Sequence, residues 1–412
     1  MLLVMKNNKS VFIKTFNLVL LTGLLSLSSC GNAANKTSSI TLSLKEDYEE
    51  LPLPTPSGEV VSVDEIEEEN NDIHTALQLA AIYSSYDKIT NFAKGTKELS
   101  KPKAVEFSIP TLEEDKPCFF QISENADFTN ATDYFIETNT IAIPNLKVAT
   151  KYYYRGSANK KDLNKATSYS LTTADTLPRN IDIDGVTNVR DIGGYDSLLG
   201  GKIRQGLYYR GGRFNYSDEK TKIDEPSSFI NEVSEEGYET LTKTLGIKNE
   251  IDVRMNESHY SGTLAHEYGM MDNSSYPDIE YISFPLDWNY SNMMISEKET
   301  IGKIFKFLSK KESYPLYLHC NIGTDRTGMC TYLLGTLLGI KQEDLYRDYL
   351  FSNFGNIKDS RNLKKLTDVY QKTLLSYEED NLYLDTRAYL LECGLTNQEL
   401  NDILNIFIDQ SK

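Results

Sequence analysis

Three textures follow one another along this chain, and each predicts a different kind of structure. After the lysines at positions 6, 9 and 14 comes a largely apolar run from Phe16 to Leu27, too short to span a membrane comfortably and of the length used in export signals. From about Lys101 to Thr173, short stretches of alternating or β-branched and aromatic character are separated by polar turns, which predicts strands: Ala104 to Ile109, Cys118 to Ser123, Tyr134 to Ile143, Lys151 to Ser157 and Ser168 to Thr172. Beyond Leu177-Pro178, apolar strands alternate with amphipathic helices. The strands are expected at Leu207 to Tyr209, Lys248 to Val253, Ile279 to Phe284 and Pro315 to His319. The helices are expected near Ser228 to Leu245, Glu297 to Lys310 and Thr327 to Leu338. Ser296 and Glu299 have the spacing of a capping box ahead of an apolar face made by Ile301, Ile304, Phe305 and Leu308.

Strands alternating with helices predict an α/β domain with a mainly parallel sheet flanked by helices, preceded by a small all-β sandwich. The domain boundaries expected are a signal peptide at 1–29, a polar, acidic tether at 30–70, a helix plus β domain at 71–177, and the α/β domain at 178–412. A helix near Asn71 to Ala93, containing His74, is expected to pack onto the β strands that follow it. The tether carries Pro52, Pro54, Pro56 and the acidic run Asp64 to Glu69, the composition of a solvated linker.

Composition narrows the possible functions. The chain has 43 basic against 60 acidic residues, which argues against a broad nucleic-acid surface or adhesion to anionic lipid, so an anionic substrate has to be captured by local groups. Five cysteines in 412 residues, irregularly spaced, form neither a disulfide framework nor a zinc-ligand pattern. His259 and His266 lie close in sequence but lack a third ligand, so no metal and no cofactor is expected.

The segment most specific for chemistry is Pro315-Leu316-Tyr317-Leu318-His319, a strand running into Cys320 and a loop that ends at Arg326 where a helix begins. Ligands of such sheets bind where a strand gives way to a helix. Loop amides from Asn321, Ile322, Gly323 and Thr324 onward, with the helix dipole behind them, suit three phosphate oxygens and also favour a thiolate at Cys320. Arg326 can hold two oxygens at once, and the Thr327 hydroxyl can reach the sulfur.

His319-Cys320-x5-Arg326-Thr327 resembles the signature of cysteine-based protein tyrosine phosphatases. Asn188 to Gly194, Tyr208 to Arg213, Ile251 to Arg254 with Glu257, and Asp348 to Asn353 resemble successive blocks of the bacterial members that carry aspartate in the loop. The resemblance implies that Cys320 is the nucleophile forming a phosphocysteine, that Arg326 binds phosphate, that Asp325 is a catalytic acid, and that Arg190 and Asp191 brace the loop from beneath. His319 orients the loop, and Trp288 packs beside the site. Asp287, in a segment that follows a strand, is a second candidate for the acid. Members of the group commonly carry lysine where this chain has Thr324. Its absence favours phosphotyrosine-like monoesters over phosphoinositides or inositol phosphates, although Arg210, Arg213 or Arg254 could supply the missing charge. A phosphate-binding protein without turnover is the alternative from another class.

Two further resemblances concern the rest of the chain. Leu27-Ser28-Ser29-Cys30-Gly31 resembles the lipobox of bacterial lipoproteins, which implies lipidation of Cys30 and a membrane-anchored body facing outside the cytoplasm. An uncleaved anchor or a plain signal peptide remains open. Leu146 to Arg155 resembles the sixth-strand approach of fibronectin type III-like sandwiches, with Leu146 and Tyr152 at the tyrosine corner. Partners expected are a phosphorylated protein or small phosphomonoester, the membrane through the lipid alone, and an unidentified partner for the β domain.

Overall fold

The computed structural model describes residues 86–214, 233–254, 278–287, 289 and 291–410. Cys30, His74, Glu257, His259, His266 and Trp288, all singled out in the sequence, lie outside the described residues.

The alternating segment forms six strands: β1 (Val105–Ser108), β2 (Cys118–Ser123), β3 (Thr132–Ile136), β4 (Thr140–Ile143), β5 (Lys151–Ser157) and β6 (Tyr169–Thr172). β1 pairs antiparallel with β4, while the other four make an antiparallel sheet in the order β3-β2-β5-β6. The stretch expected as one strand from Tyr134 to Ile143 is therefore two, serving different sheets. Phe107 and Ile109 beside one sheet, with Phe120, Ile122 and Tyr152 of the other, bury a common aromatic-rich core. The Tyr152 hydroxyl accepts a hydrogen bond from the Lys147 amide at 2.9 Å, closing the corner that leads into β5.

The second half is built on a six-stranded sheet ordered β12-β11-β13-β10-β8-β7, from β7 (Arg179–Asn180), β8 (Arg190–Asp191), β10 (Tyr208–Gly211), β11 (Asn249–Asp252), β12 (Glu280–Ser283) and β13 (Leu316–His319). β12, β11, β13 and β10 run parallel, whereas β8 and β7 are antiparallel additions at one edge. A separate pair, β9 (Lys202–Ile203) with β14 (Ile408–Asp409), ties the chain's end back to the sheet region. Side chains of a strand alternate between faces. In β13, Leu316 and Leu318 enter the larger core beneath the helices, and Cys320 just beyond the strand joins that core too; Tyr317 enters a smaller core on the opposite face with Val189, Tyr209, Phe214 and Leu241.

The Arg326–Leu337 helix is buried along its whole length, which explains why its sequence is apolar all round rather than striped. By contrast the Lys298–Leu308 helix buries Ile301, Ile304, Phe305 and Leu308, the stripe read from its sequence. Its expected capping box is absent. Ser296 closes a preceding turn of helix, Met293–Ser296, with its hydroxyl on the Asn292 carbonyl, and the cap position is Glu297. A capping box does occur at the Asn397–Phe407 helix, between Thr396 and Glu399.

The helix near Ala93 also departs from expectation. Of it, Tyr86–Phe92 is described, and it packs on the helical core instead of the β strands: Tyr86 meets Tyr346 edge-on and Phe92 lies against Phe354. Ile89, Phe92 and Ala93 are nearly inaccessible to water, so the apolar face found its partner more than 200 positions downstream.

Candidate active site

Cys320 follows the end of β13, between the carboxyl ends of β10 and β11, and is 2% exposed. The turn that follows depends on Gly323, whose φ of +70° is costly for other residues and whose missing side chain leaves room for the Gly211 carbonyl. A β-carbon there would lie 2.2 Å from that oxygen. Among the described residues, the backbone N–H groups from Asn321 to Asp325 have no hydrogen-bond acceptor, the condition for cradling an anion.

Arg326 opens the helix. Its Nη1 donates to the Leu286 carbonyl at 3.4 Å, while its buried Nε has no partner, and neither has the buried Thr327 hydroxyl an oxygen or nitrogen partner. Buried donors without acceptors are costly unless a ligand satisfies them. Burial is the largest influence on the Cys320 thiol and pushes it up, but the Arg326 charge and the Thr327 hydroxyl and amide outweigh it, so the thiol lies below its ordinary value. Cys330, one helix turn further into the core, lacks those partners, and burial pushes its thiol up.

His319 sits under the loop, fully buried. Its Nδ1 is 2.9 Å from the Cys320 carbonyl and its Nε2 is 2.7 Å from Glu250 Oε1. Both partners are oxygen atoms, an arrangement that favours a ring with protons on both nitrogens. Burial opposes that charge, but Asp252 and Glu250 on the adjacent strand outweigh it and raise the His319 pKa. When protonated, the ring places positive charge behind the Cys320 carbonyl, which favours the thiolate.

Arg190 holds the loop at one remove. It pairs with Asp348 at 2.9 Å and with Asn188, whose Nδ2 donates to the Ile322 carbonyl at 2.8 Å. Arg210 takes the other oxygen of Asp348 at 2.8 Å and gives Nη2 to the Gly323 carbonyl at 2.5 Å. Asn321 is gripped by Arg213, whose amide and Nη1 reach its carbonyl and side chain at 3.1 and 3.2 Å. Thr324 is buried, its hydroxyl directed at the Ile322 carbonyl at 3.4 Å.

Asp191 does not brace the loop. It faces away from Arg190 and binds Arg179 at 2.5 Å together with the amides of Gly193 and Gly206. Arg179 then donates to the Leu146 and Asn145 carbonyls, so this carboxylate anchors the junction with the β strands. Arg210 and Arg254 do not supply spare charge either: the first is spent on Asp348 and Gly323, the second on Asp252 at 2.7 Å.

Asp325 is held from outside the loop, by Lys365 Nζ at 2.6 Å and Arg361 Nη2 at 3.5 Å, and the Tyr370 hydroxyl donates to its carbonyl at 3.2 Å. Asp287 is half-buried and accepts from the Asn289 amide at 3.1 Å; its neighbour Leu286 is the residue that touches Arg326. Sequence reasoning missed Lys365, Arg361, Glu250 and Arg179. Two carboxylates flanking the buried Ile251 were the one local signal for the His319 partner.

The model of the tyrosine phosphatase family matches residues 181–409, more than half of the chain. The chain belongs to the tyrosine phosphatase family. A Cupriavidus necator protein provisionally named tyrosine-protein phosphatase is 26% identical over 191 residues, 42% of this chain and 63% of the relative, so this family member matches less than two thirds of that protein's length. Among solved structures it is similar to the core catalytic domain of the PP-IP phosphatase SIW14 of S. cerevisiae, with 15% identity over 42% of this chain and 87% of that one, at a TM-score of 0.26. It is also similar to TpbA of P. aeruginosa, with 11% identity over 55% and 94% of the two chains, at a TM-score of 0.26.

Proposed function

We propose that the protein hydrolyses phosphomonoesters through a phosphocysteine on Cys320, with phosphotyrosine as the leading substrate group. The observation that carries this reading is a thiol lowered in spite of burial by Arg326 and by the Thr327 hydroxyl and amide, with the buried Arg326 Nε left unsatisfied beside a loop of open amides. In the first step the thiolate attacks phosphorus, the bond to the leaving oxygen breaks, and an aspartate, Asp325 or Asp287, gives that oxygen a proton. In the second, water gives a proton back to that aspartate as it attacks phosphorus, the P–S bond breaks, and phosphate leaves the restored thiolate. Arg326 and the amides hold the equatorial oxygens through both steps.

Attachment to a membrane through lipidated Cys30, on the outer side, is proposed on the strength of the sequence motif. The strand pairing of β1 to β6 and the Tyr152 corner support a fibronectin type III-like spacer.

The test is phosphate release from a phosphotyrosine peptide by the wild-type chain and by Cys320→Ser. The variant is expected to lose turnover by at least about 10³-fold and to retain ligand binding, with wild-type hydrolysis blocked by vanadate. Turnover by Cys320→Ser within about tenfold of wild type would remove Cys320 as nucleophile, and a wild-type chain that binds but never hydrolyses would leave a phosphate-binding protein.

A further inference from the structure

Strands β1 to β6 separate residues 86–100 from the stretch that the family model matches, yet these residues close on the phosphatase body. The Gly95 amide donates to the Asn353 carbonyl at 2.8 Å, and the Gly95 carbonyl accepts from the Ile357 amide at 2.8 Å. The Leu99 amide donates to the Phe354 carbonyl at 2.6 Å, and the Ser100 carbonyl accepts from Asn180 Nδ2 at 2.7 Å. The seam is tight: a β-carbon on Gly95 would lie 2.7 Å from Ile357 Cγ1.

Glu98 lies in this seam, half-buried. Its Oε2 accepts from the Thr187 hydroxyl and, at 3.3 Å, from the Asn356 amide, while its Oε1 accepts from the Ser100 amide at 3.0 Å. The Asn356 amide also donates to Thr187 Oγ1 at 2.9 Å, so carboxylate, hydroxyl and amide form a closed group. A carboxylate held by backbone amides is a strong and fixed acceptor. What Thr187 holds bears on the loop at Cys320. The Thr187 carbonyl accepts from the Gly212 amide at 2.9 Å. The next residue, Asn188, has a φ of +61°, a left-handed conformation that persists where the surroundings fix it. A β-carbon on Gly355 would lie 2.8 Å from Asn188 Cβ, so this turn is wedged between the seam and the loop. From there Asn188 Nδ2 donates to the Ile322 carbonyl at 2.8 Å. Holding that carbonyl on the outside of the loop leaves the neighbouring amides free for an anion.

We propose that Glu98, acting through Thr187 and Asn188, is a positioning residue for the phosphate loop, so that the phosphatase site depends on a segment that precedes the β strands. This rests on the phosphomonoesterase reading above. Glu98 touches neither substrate nor reacting atoms. It fixes the Thr187-Asn188 turn, and the turn fixes the Ile322 carbonyl. Without the carboxylate the left-handed turn relaxes, the carbonyl shifts, and the loop amides lose their convergence on the Cys320 thiolate.

The test uses the full chain and two readouts: the pH dependence of Cys320 alkylation by iodoacetamide, followed by mass spectrometry of the Cys320 peptide, and phosphate release from a phosphotyrosine peptide. Glu98→Ala and Thr187→Val are each expected to move the alkylation midpoint up by about one pH unit and to lower kcat about tenfold, with KM changed less. The double variant should do no more than either single one, because both remove the same link. Glu98→Gln keeps an oxygen for the Thr187 hydroxyl and should stay within about threefold of wild type. If Glu98→Ala does not fold, Thr187→Val, which removes the hydroxyl alone, carries the test. A wild-type midpoint in the single variants, shifts that add in the double variant, or a Glu98→Gln variant as impaired as Glu98→Ala overturns the proposal and leaves the nucleophile where it is. If the wild-type chain alkylates at the ordinary thiol midpoint of about 8.5 and releases no phosphate, the catalytic reading falls and the proposal with it.

Discussion

Arg190 and Asp191 are neighbours on the two-residue strand β8, yet they serve different parts of the molecule. Arg190 reaches Asp348 and Asn188 and through them the underside of the phosphate loop; Asp191 reaches Arg179 and the carbonyls at the foot of the β strands. Alternation of side chains along a strand makes this unavoidable. The difference teaches that a buried charge is a brace for whatever lies on its own face, however near it stands in sequence to a catalytic motif. The loop side is an ionic lattice with Asp348 at its centre. The junction side is one ion pair supplemented by side chain to backbone bonds such as Gln205 with Val148, 2.9 Å in both directions.

Asp348→Ala should break the loop side most severely. It leaves Arg190 and Arg210 buried without a counter-charge, costing about 3–5 kcal/mol of stability, and displacement of the loop should lower turnover by about 10²-fold or more. Denaturant unfolding and steady-state kinetics measure the two. An unchanged midpoint would show that the lattice is not what holds the loop.

Next in size is the proton donor. Asp325→Asn is expected to lose about 10²- to 10⁴-fold on an alkyl phosphate and much less on an activated aryl phosphate, with Asp287→Asn milder on both. A larger leaving-group-dependent loss in Asp287→Asn would transfer the role to the Leu286-Asp287 segment, which already touches Arg326.

Asp191→Ala sharpens the comparison directly. It should cost about 2–3 kcal/mol by stranding Arg179 and two amides, while turnover per folded molecule falls less than about tenfold. If its activity collapses as in Asp348→Ala, the two sides of β8 are not separable.

The pH dependence of stability distinguishes the sides further. His319 has a raised pKa in the folded state, so its contribution is complete below the ordinary imidazole value of about 6.5 and is lost as pH rises through the folded value. His319→Asn should flatten that part of the profile, whereas Asp191→Ala should leave it in place. Equal slopes in wild type and His319→Asn would mean that the ring is not charged. The smallest effect is expected at the corner of the β strands: Tyr152→Phe removes one hydrogen bond to the Lys147 amide, about 1 kcal/mol, with turnover unaltered.

Much of the site could be read from local pattern because its geometry is local. A strand entering a turn that needs glycine at one position, then a helix starting at arginine, is specified within a dozen residues, and Cys320, Gly323, Arg326 and Thr327 lie where that pattern puts them. The positions of β10, β11, β12 and β13 were legible from short apolar or β-rich stretches, whereas the two-residue strands β7, β8, β9 and β14 are too short to leave a pattern. The capping box misread at Ser296 shows the limit of such patterns: the spacing was right, but the Met293–Ser296 turn had already claimed the hydroxyl.

The chain's own sequence therefore determined the strand, the loop from Cys320 to Arg326 and the alternation of elements around them, all of which depend on residues close enough to constrain one another's backbone. Only the tertiary structure decided which charges meet. Lys365 lies 40 residues from Asp325, Glu250 69 from His319 and Asp348 158 from Arg190, and at such separations the residues find each other through the packing of whole strands and helices. Ion pairing has no sequence period. A buried charge pairs with whichever opposite charge the fold brings within reach, because leaving it alone in the core costs more than almost any partner.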